Sequence, residues 1–227
     1  YRASMENWIR EARAMAHEEF YITSFDGLTL HGNFYEYAPG APIELMFHGY
    51  RGSAERDLCG GVQRCFALGR SALVVDQRCG GTSEGNVITF GIKEHRDCLS
   101  WVDFAVGHFG SDVKLILTGM SMGASTVLMA GGRELPENVI GILADCGYSS
   151  AKDIIKTVIR QMGIPAENVN GRTIFAQVEK KNPFSGEKFK PAAEIYVSNK
   201  EWKVNRQDNG ENVSRACQRS SRSTDAP

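Results

Sequence analysis

Ser121 is the residue around which a reaction can most readily be built. It stands at the centre of Gly119-Met120-Ser121-Met122-Gly123, a G-x-S-x-G pattern. The pattern follows the apolar run Val113–Leu117 and precedes Ala124–Arg133, which reads as helix. A strand that turns abruptly into a helix strains the residue at the bend and leaves its neighbours no room for side chains. The flanking glycines meet that need. The bend lifts the serine hydroxyl clear of the strand, beside the first turn of the helix. There the Met122 N–H is available to a developing oxyanion.

A second donor is expected from His48-Gly49-Tyr50, which follows the apolar run Ile43–Phe47. The Tyr50 N–H is the candidate, and one such donor contributes roughly 3 kcal/mol to a transition state. The His48 imidazole is expected to hydrogen-bond neighbouring loops and shape the turn. Asp145 closes the run Val139–Ala144 and is read first as a support for its loop and second as a possible acid. The base is the difficulty. All five histidines (His17, His31, His48, His95 and His108) precede Ser121. Loss of one member of a nucleophile–base–acid triad can cost on the order of a millionfold in turnover.

The elements that must position these residues show in the apolar periodicity. Met5, Trp8, Ile9, Ala12 and Ala16 mark an opening helix, with Ser4 as its expected N-cap. Glu19–Phe25 and Leu28–Tyr35 flank Asp26-Gly27, which predicts an antiparallel hairpin with a two-residue turn. Four runs then follow at helix-length intervals: Ile43–Phe47, Ala72–Val75, Val113–Leu117 and Val139–Ala144. Runs apolar on both faces suit a parallel sheet covered by helices. Cys98, Leu99, Val102, Ala105, Val106 and Phe109 form one helical stripe. A second runs from Ala151 through Ile154, Ile155, Val158 and Ile159 to Met162, capped by Ser150. The fold class is therefore α/β, a doubly wound and mostly parallel sheet with an antiparallel N-terminal hairpin.

After about Pro165 the phasing fades. Residues 1–165 read as the core and 166–227 as an atypical tail, with Ala193–Val197 as one short strand and Thr173–Val178 as a fragment. Gln218 to Pro227 is almost wholly polar and is expected not to order. The abrupt change suggests a tail that is unrelated to the core or read out of frame. The chain opens on Tyr1 rather than Met, as a segment of a longer one would.

Bulk properties narrow the function classes. Of 227 residues, 42% are hydrophobic and 23% charged, as in ordinary globular chains. A net charge of −1 gives no pull toward nucleic acid. No apolar run approaches the roughly 18 residues of a membrane span. None of the six cysteines forms C-x-x-C or zinc-finger spacing, so no metal site is expected from them, and an attack by Ser121 requires no metal or organic cofactor. Read as reduced thiols, they favour the cytoplasm. The expected partner is a small-molecule or peptide substrate. A sheet short of its last strands would also leave an edge open to self-association.

Taken with Asp76-Gln77-Arg78-Cys79-Gly80-Gly81-Thr82-Ser83-Glu84-Gly85 and Ala144-Asp145-Cys146-Gly147-Tyr148, these motifs resemble the α/β-hydrolase superfamily over residues 18 to 165. The nearest likeness is to its serine aminopeptidase-like and monoacylglycerol lipase-like branch. The resemblance implies a serine hydrolase forming an acyl-enzyme on Ser121, with Tyr50 and Met122 as oxyanion donors. The chain departs from the family at Gly80, where relatives carry a bulky aromatic or His. It also departs in its last third, where relatives place the acid and then the His, so the C-terminal strands read as degraded or missing. Glu201 and Asp208 are weaker stand-ins for the acid. The alternative reading is a catalytically impaired or inactive protein of the same fold; an acyltransferase using the same serine is a third.

Overall fold

The computed structural model describes residues 2–161 and 194–197. Helix α1 (Arg2–Ala14) leads into the hairpin β1 (Glu18–Thr23) and β2 (Thr29–Tyr35). Then come β3 (Ile43–Phe47), α2 (Ala54–Ala67), β4 (Ser71–Val75) and α3 (Glu94–Phe109). They are followed by β5 (Leu115–Met120), α4 (Met122–Gly131), β6 (Val139–Asp145), α5 (Ala151–Gln161) and β7 (Glu194–Val197). The seven strands form one sheet in the order β1-β2-β4-β3-β5-β6-β7. The pairs β1–β2 and β2–β4 are antiparallel, and the rest are parallel.

Burial on both faces explains the unbroken apolar runs. All five residues of β3 and all five of β4 are buried. Strand β3 sends Leu45 and Phe47 into a core shared with Trp101, Val102 and Leu128 on α3 and α4. Met46 points the other way, against Leu58, Val62 and Cys65 of α2. Glu44 interrupts the apolar run yet is fully buried. Arg64, Arg70, Thr118 and Cys65 all donate to its carboxylate, which is how a charge survives there. Helix α1 packs on α2, outside that layer.

Three details differ from the sequence reading. The first helix begins at Arg2, so Ser4 lies inside it rather than capping it. The hairpin turn holds three residues, because Ser24 N–H still bonds to Leu28 O at 2.8 Å beyond the strand ends. The Ser24 hydroxyl accepts from Leu28 N–H and donates to Asp26, and this local closure competes with a tighter turn. Strand β5 starts later than Val113, whose N–H instead closes a turn on Gly110. It reaches further, to Met120, because β6 continues to pair with it there. Of the expected C-terminal strands, β7 is formed beside β6. Thr173–Val178, Glu201, Asp208 and the rest of the 166–227 tail lie outside the described residues.

Candidate functional site

Register brings the carboxyl ends of three strands together. Phe47 pairs with Gly119, and Met120 with Asp145, so residues 48–50, 121 and 145 emerge side by side. Ser121 stands between β5 and α4 with φ 55° and ψ −112°, a backbone conformation that L-residues rarely adopt. Its N–H bonds to Asp145 O at 2.8 Å, and its carbonyl accepts from Ser125 N–H. Its side chain makes no capping bond and the residue is exposed.

Crowding at this bend excludes side chains. A Cβ on Gly119 would lie 2.1 Å from the Gly123 carbonyl oxygen. One on Gly123 would lie 2.1 Å from that of Phe47. On the facing loop, the Cβ position at Gly49 is 3.5 Å from Ser121 Cβ and 3.9 Å from its Oγ. The hydroxyl therefore rests against the 48–50 loop. Met122 opens α4, where amides have no intrahelical acceptor, and all ten residues of that helix are buried. The positive end of its dipole points at Ser121.

His48 is built into the loop. Its Nε2 accepts from Gln77 N–H at 2.9 Å, so Nδ1 carries the proton and donates to Gly49 O at 2.8 Å. Burial lowers its pKa below the ordinary 6.5, despite the Gly49 carbonyl, and keeps the ring neutral. Gln77 completes the brace, donating to His48 O at 2.5 Å and accepting from Thr126 on α4 at 2.9 Å. The His48 ring also fills the place beside Gly80: a Cβ there would stand 2.8 Å from Nε2. The departure at Gly80 is thus matched to this imidazole.

Asp76 organises the next loop. Its carboxylate accepts from Ala54 N–H at 2.8 Å and Thr82 N–H at 3.2 Å, and lies 3.0 Å from His31 Nδ1. Burial works to raise its pKa, and the His31 and amide bonds outweigh that and hold it low. Asp145, by contrast, is exposed, with Cys146 Sγ 3.3 Å from its Oδ1.

The five histidines are all engaged elsewhere. His17 bonds to Met15 O, His31 to Asp76, His48 to Gly49 O and Gln77 N–H, and His95 to Gly91 O. His108 stacks on Phe104 and meets Phe20 edge-on. The structure thus brings Ser121, Met122, Tyr50 and Asp145 to one end of the sheet, with no histidine hydrogen-bonded to Ser121 among the described residues. Gln77, Phe90 and Glu94, which also frame this end, were given no role in the sequence reading. Gln77 alone had a local signal, as a polar residue within the Asp76 to Gly85 motif.

Among the described residues no cluster of His, Cys, Asp or Glu is placed to hold a metal ion. No described helix is long and apolar enough to cross a membrane. Among the described residues five cysteines are free thiols, and of these Cys59, Cys65 and Cys98 are buried.

No family model matches this chain, and no curated protein does. Solved structures are informative. An esterase of Pyrococcus furiosus superposes with a TM-score of 0.60 at 19% identity, over 83% of this chain and 84% of the esterase. A puromycin-hydrolyzing peptidase of Mycobacterium tuberculosis gives 0.61 at 14% identity, over 82% of this chain and 31% of the peptidase. The α/β hydrolase GrgF from a Penicillium species gives 0.55 at 16% identity, over 78% of this chain and 69% of the other. The fold of this chain is the α/β-hydrolase fold.

Proposed function

We propose that the chain is a serine hydrolase that cleaves an ester or amide through an acyl-enzyme on Ser121. The observation that carries this reading is the strained backbone at Ser121, which leaves an exposed, uncapped hydroxyl between a helix N-terminus and Gly49. Fold alone is a poor guide to activity, so the argument rests on this geometry. Similarity to an esterase and a peptidase favours hydrolysis and leaves ester and amide equally open. The resemblance of the motifs to the serine aminopeptidase-like and monoacylglycerol lipase-like branch supports an ester or amide substrate.

In the reaction, Oγ attacks the substrate carbonyl carbon, the carbonyl oxygen gains the negative charge, and the hydroxyl proton passes, through a base or solvent water, to the departing alcohol or amine. The N–H groups of Tyr50 and Met122 stabilise that oxyanion. Collapse expels the alcohol or amine and leaves the acyl group on Ser121, which water then removes. Asp145 is the candidate acid, to orient a base. That base is what the described residues do not supply. A site with oxyanion donors and no base retains only about 10³–10⁴-fold acceleration over water.

The placement of the five histidines therefore favours a second reading, an impaired or inactive hydrolase that keeps its pocket for binding. A fluorophosphonate probe followed by peptide mapping decides between them. Slow labelling confined to Ser121, and abolished in Ser121→Ala, is the expected result. Folded protein that takes up no probe establishes the second reading. Label that persists in Ser121→Ala removes Ser121 from the role.

A further inference from the structure

We infer that Phe90 is a positioning residue for the Tyr50 oxyanion donor, held in place by the buried carboxylate of Glu94. The inference rests on the reading of Ser121 and Tyr50 just given. Glu94, 1% exposed, is the first residue of α3. Its carboxylate accepts from Thr89 N–H at 2.7 Å, Thr89 Oγ1 at 2.6 Å and Gly91 N–H at 2.8 Å. Thr89 Oγ1 in turn accepts from Lys93 N–H, and Gly91 O accepts from His95 N–H. Both neighbours of Phe90 are thus fixed to the start of α3.

Phe90 itself has φ 53°, a left-handed conformation that an aromatic residue adopts only when its surroundings impose it. The constraint fixes where the ring goes. It stacks on Tyr50 with centroids 5.3 Å apart and planes 21° from parallel. Tyr148 lies against it at 6.5 Å. Tyr148 is tied to α4 by two backbone bonds with Ser125 Oγ, at 2.8 and 2.9 Å. Without Phe90, the Tyr50 ring, 44% exposed, retains the Arg51 guanidinium as its ring contact. His48 is braced by Gln77, so the Phe90 stack is what restrains the Tyr50 side of the loop, and an oxyanion donor must be preorganised to within a fraction of an ångström. Phe90 supplies that restraint through the side chain of the residue whose amide does the chemistry.

The test measures the rate of fluorophosphonate labelling at Ser121 against probe concentration, giving a maximal rate and a half-saturating concentration, with the thermal midpoint recorded beside it. Phe90→Ala and Phe90→Leu are expected to lower the maximal rate about tenfold, part of the 10²–10³ that loss of a whole donor brings. The half-saturating concentration is expected to stay within about twofold, because ground-state binding does not use the oxyanion hole. Phe90→Tyr, which keeps the flat ring, restores the rate. Glu94→Gln slows labelling similarly, and adding Phe90→Ala to it brings no further loss, since both act through one contact. A Phe90→Ala protein that labels at the parent rate overturns the inference. So does one whose half-saturating concentration alone rises, which would make Phe90 a probe contact. Failure of the underlying reading shows separately, as parent protein that does not label at Ser121, and takes this inference with it.

Discussion

At Ser121 the chain accepts backbone strain that a folding optimum would avoid, of order 1–3 kcal/mol for a residue in such a region. The surroundings over-determine it. Gly119 and Gly123 press against backbone atoms on either side, and Ser121 N–H is held by Asp145 O. Backbone cannot yield as a flexible side chain would, so Gly123→Ala is expected to destabilise by about 3 kcal/mol, the upper range for overpacking. For a domain of this size that is a fall of about 6–12 °C in thermal midpoint, measurable by circular dichroism. A Gly123→Ala midpoint within about 2 °C of the parent would mean that the bend is looser than its contacts imply. Ser121→Ala, by contrast, removes only an exposed hydroxyl and is expected to leave the midpoint unchanged. Stability and labelling should therefore separate between two positions of one motif.

Elements meet at the site through buried polar groups, and these give it a pH signature. Burial holds both His48 and His95 below the ordinary 6.5, so both are neutral in the folded protein. A base with a depressed folded pKa contributes nothing unfavourable above its unfolded value. As the pH falls below 6.5 the unfolded chain takes up protons that the native state refuses, and stability declines until the lowered folded values are passed. Asp76 adds a second decline further down. Its lowered pKa stabilises the fold above the ordinary 3.8 and ceases to do so as the pH falls through the folded value. Urea unfolding between pH 8 and 5 is expected to show the first slope, reduced in His95→Leu. A His95→Leu slope equal to the parent's would mean that the His95 imidazole is not kept neutral; the parent slope itself is net of Asp97, whose raised pKa of about 6 works in the opposite direction. These networks also mark how far the sequence was legible. Strands β3 and β4 read directly because buried parallel strands are apolar throughout, and the G-x-S-x-G bend read because its glycines answer a local crowding. Helix α2 gave little warning, since Gly60-Gly61 interrupts its stripe of Leu58, Cys59, Val62 and Cys65. The Glu94 clamp gave none, and the His48–Gln77–Thr126 brace gave only the expectation that His48 would bond to neighbouring loops. Their partners are brought together only by tertiary folding, across as many as 49 positions in the case of Gln77 and Thr126.

Across the whole molecule, one ion-pair network ties the antiparallel hairpin to the helix layer that carries the site. Arg78 follows β4, almost wholly buried, and forks onto Asp97 of α3 with two bonds of 2.7 Å. Its other side reaches Asp26 in the hairpin turn, at 3.0 and 3.1 Å, where Lys93 joins at 2.9 Å. Asp26 is held well below the usual carboxylate range, first by Arg78. At Asp97 burial pulls the other way, toward the neutral acid, and Arg78 opposes it. The pair is therefore a poor source of net stability, because desolvation offsets most of the attraction. Its two halves are nonetheless dependent on each other. Arg78→Leu leaves Asp97 buried without its cation and is expected to cost about 3–5 kcal/mol. Replacing both, as Arg78→Leu with Asp97→Leu, removes the stranded charge and is expected to recover most of that loss. Equilibrium unfolding of the two single variants and the double gives the coupling directly. Additive losses would show that each charge is solvated on its own, and that the hairpin is held to α3 by other contacts, such as Phe20 on Phe104 and Lys93 on Asp26.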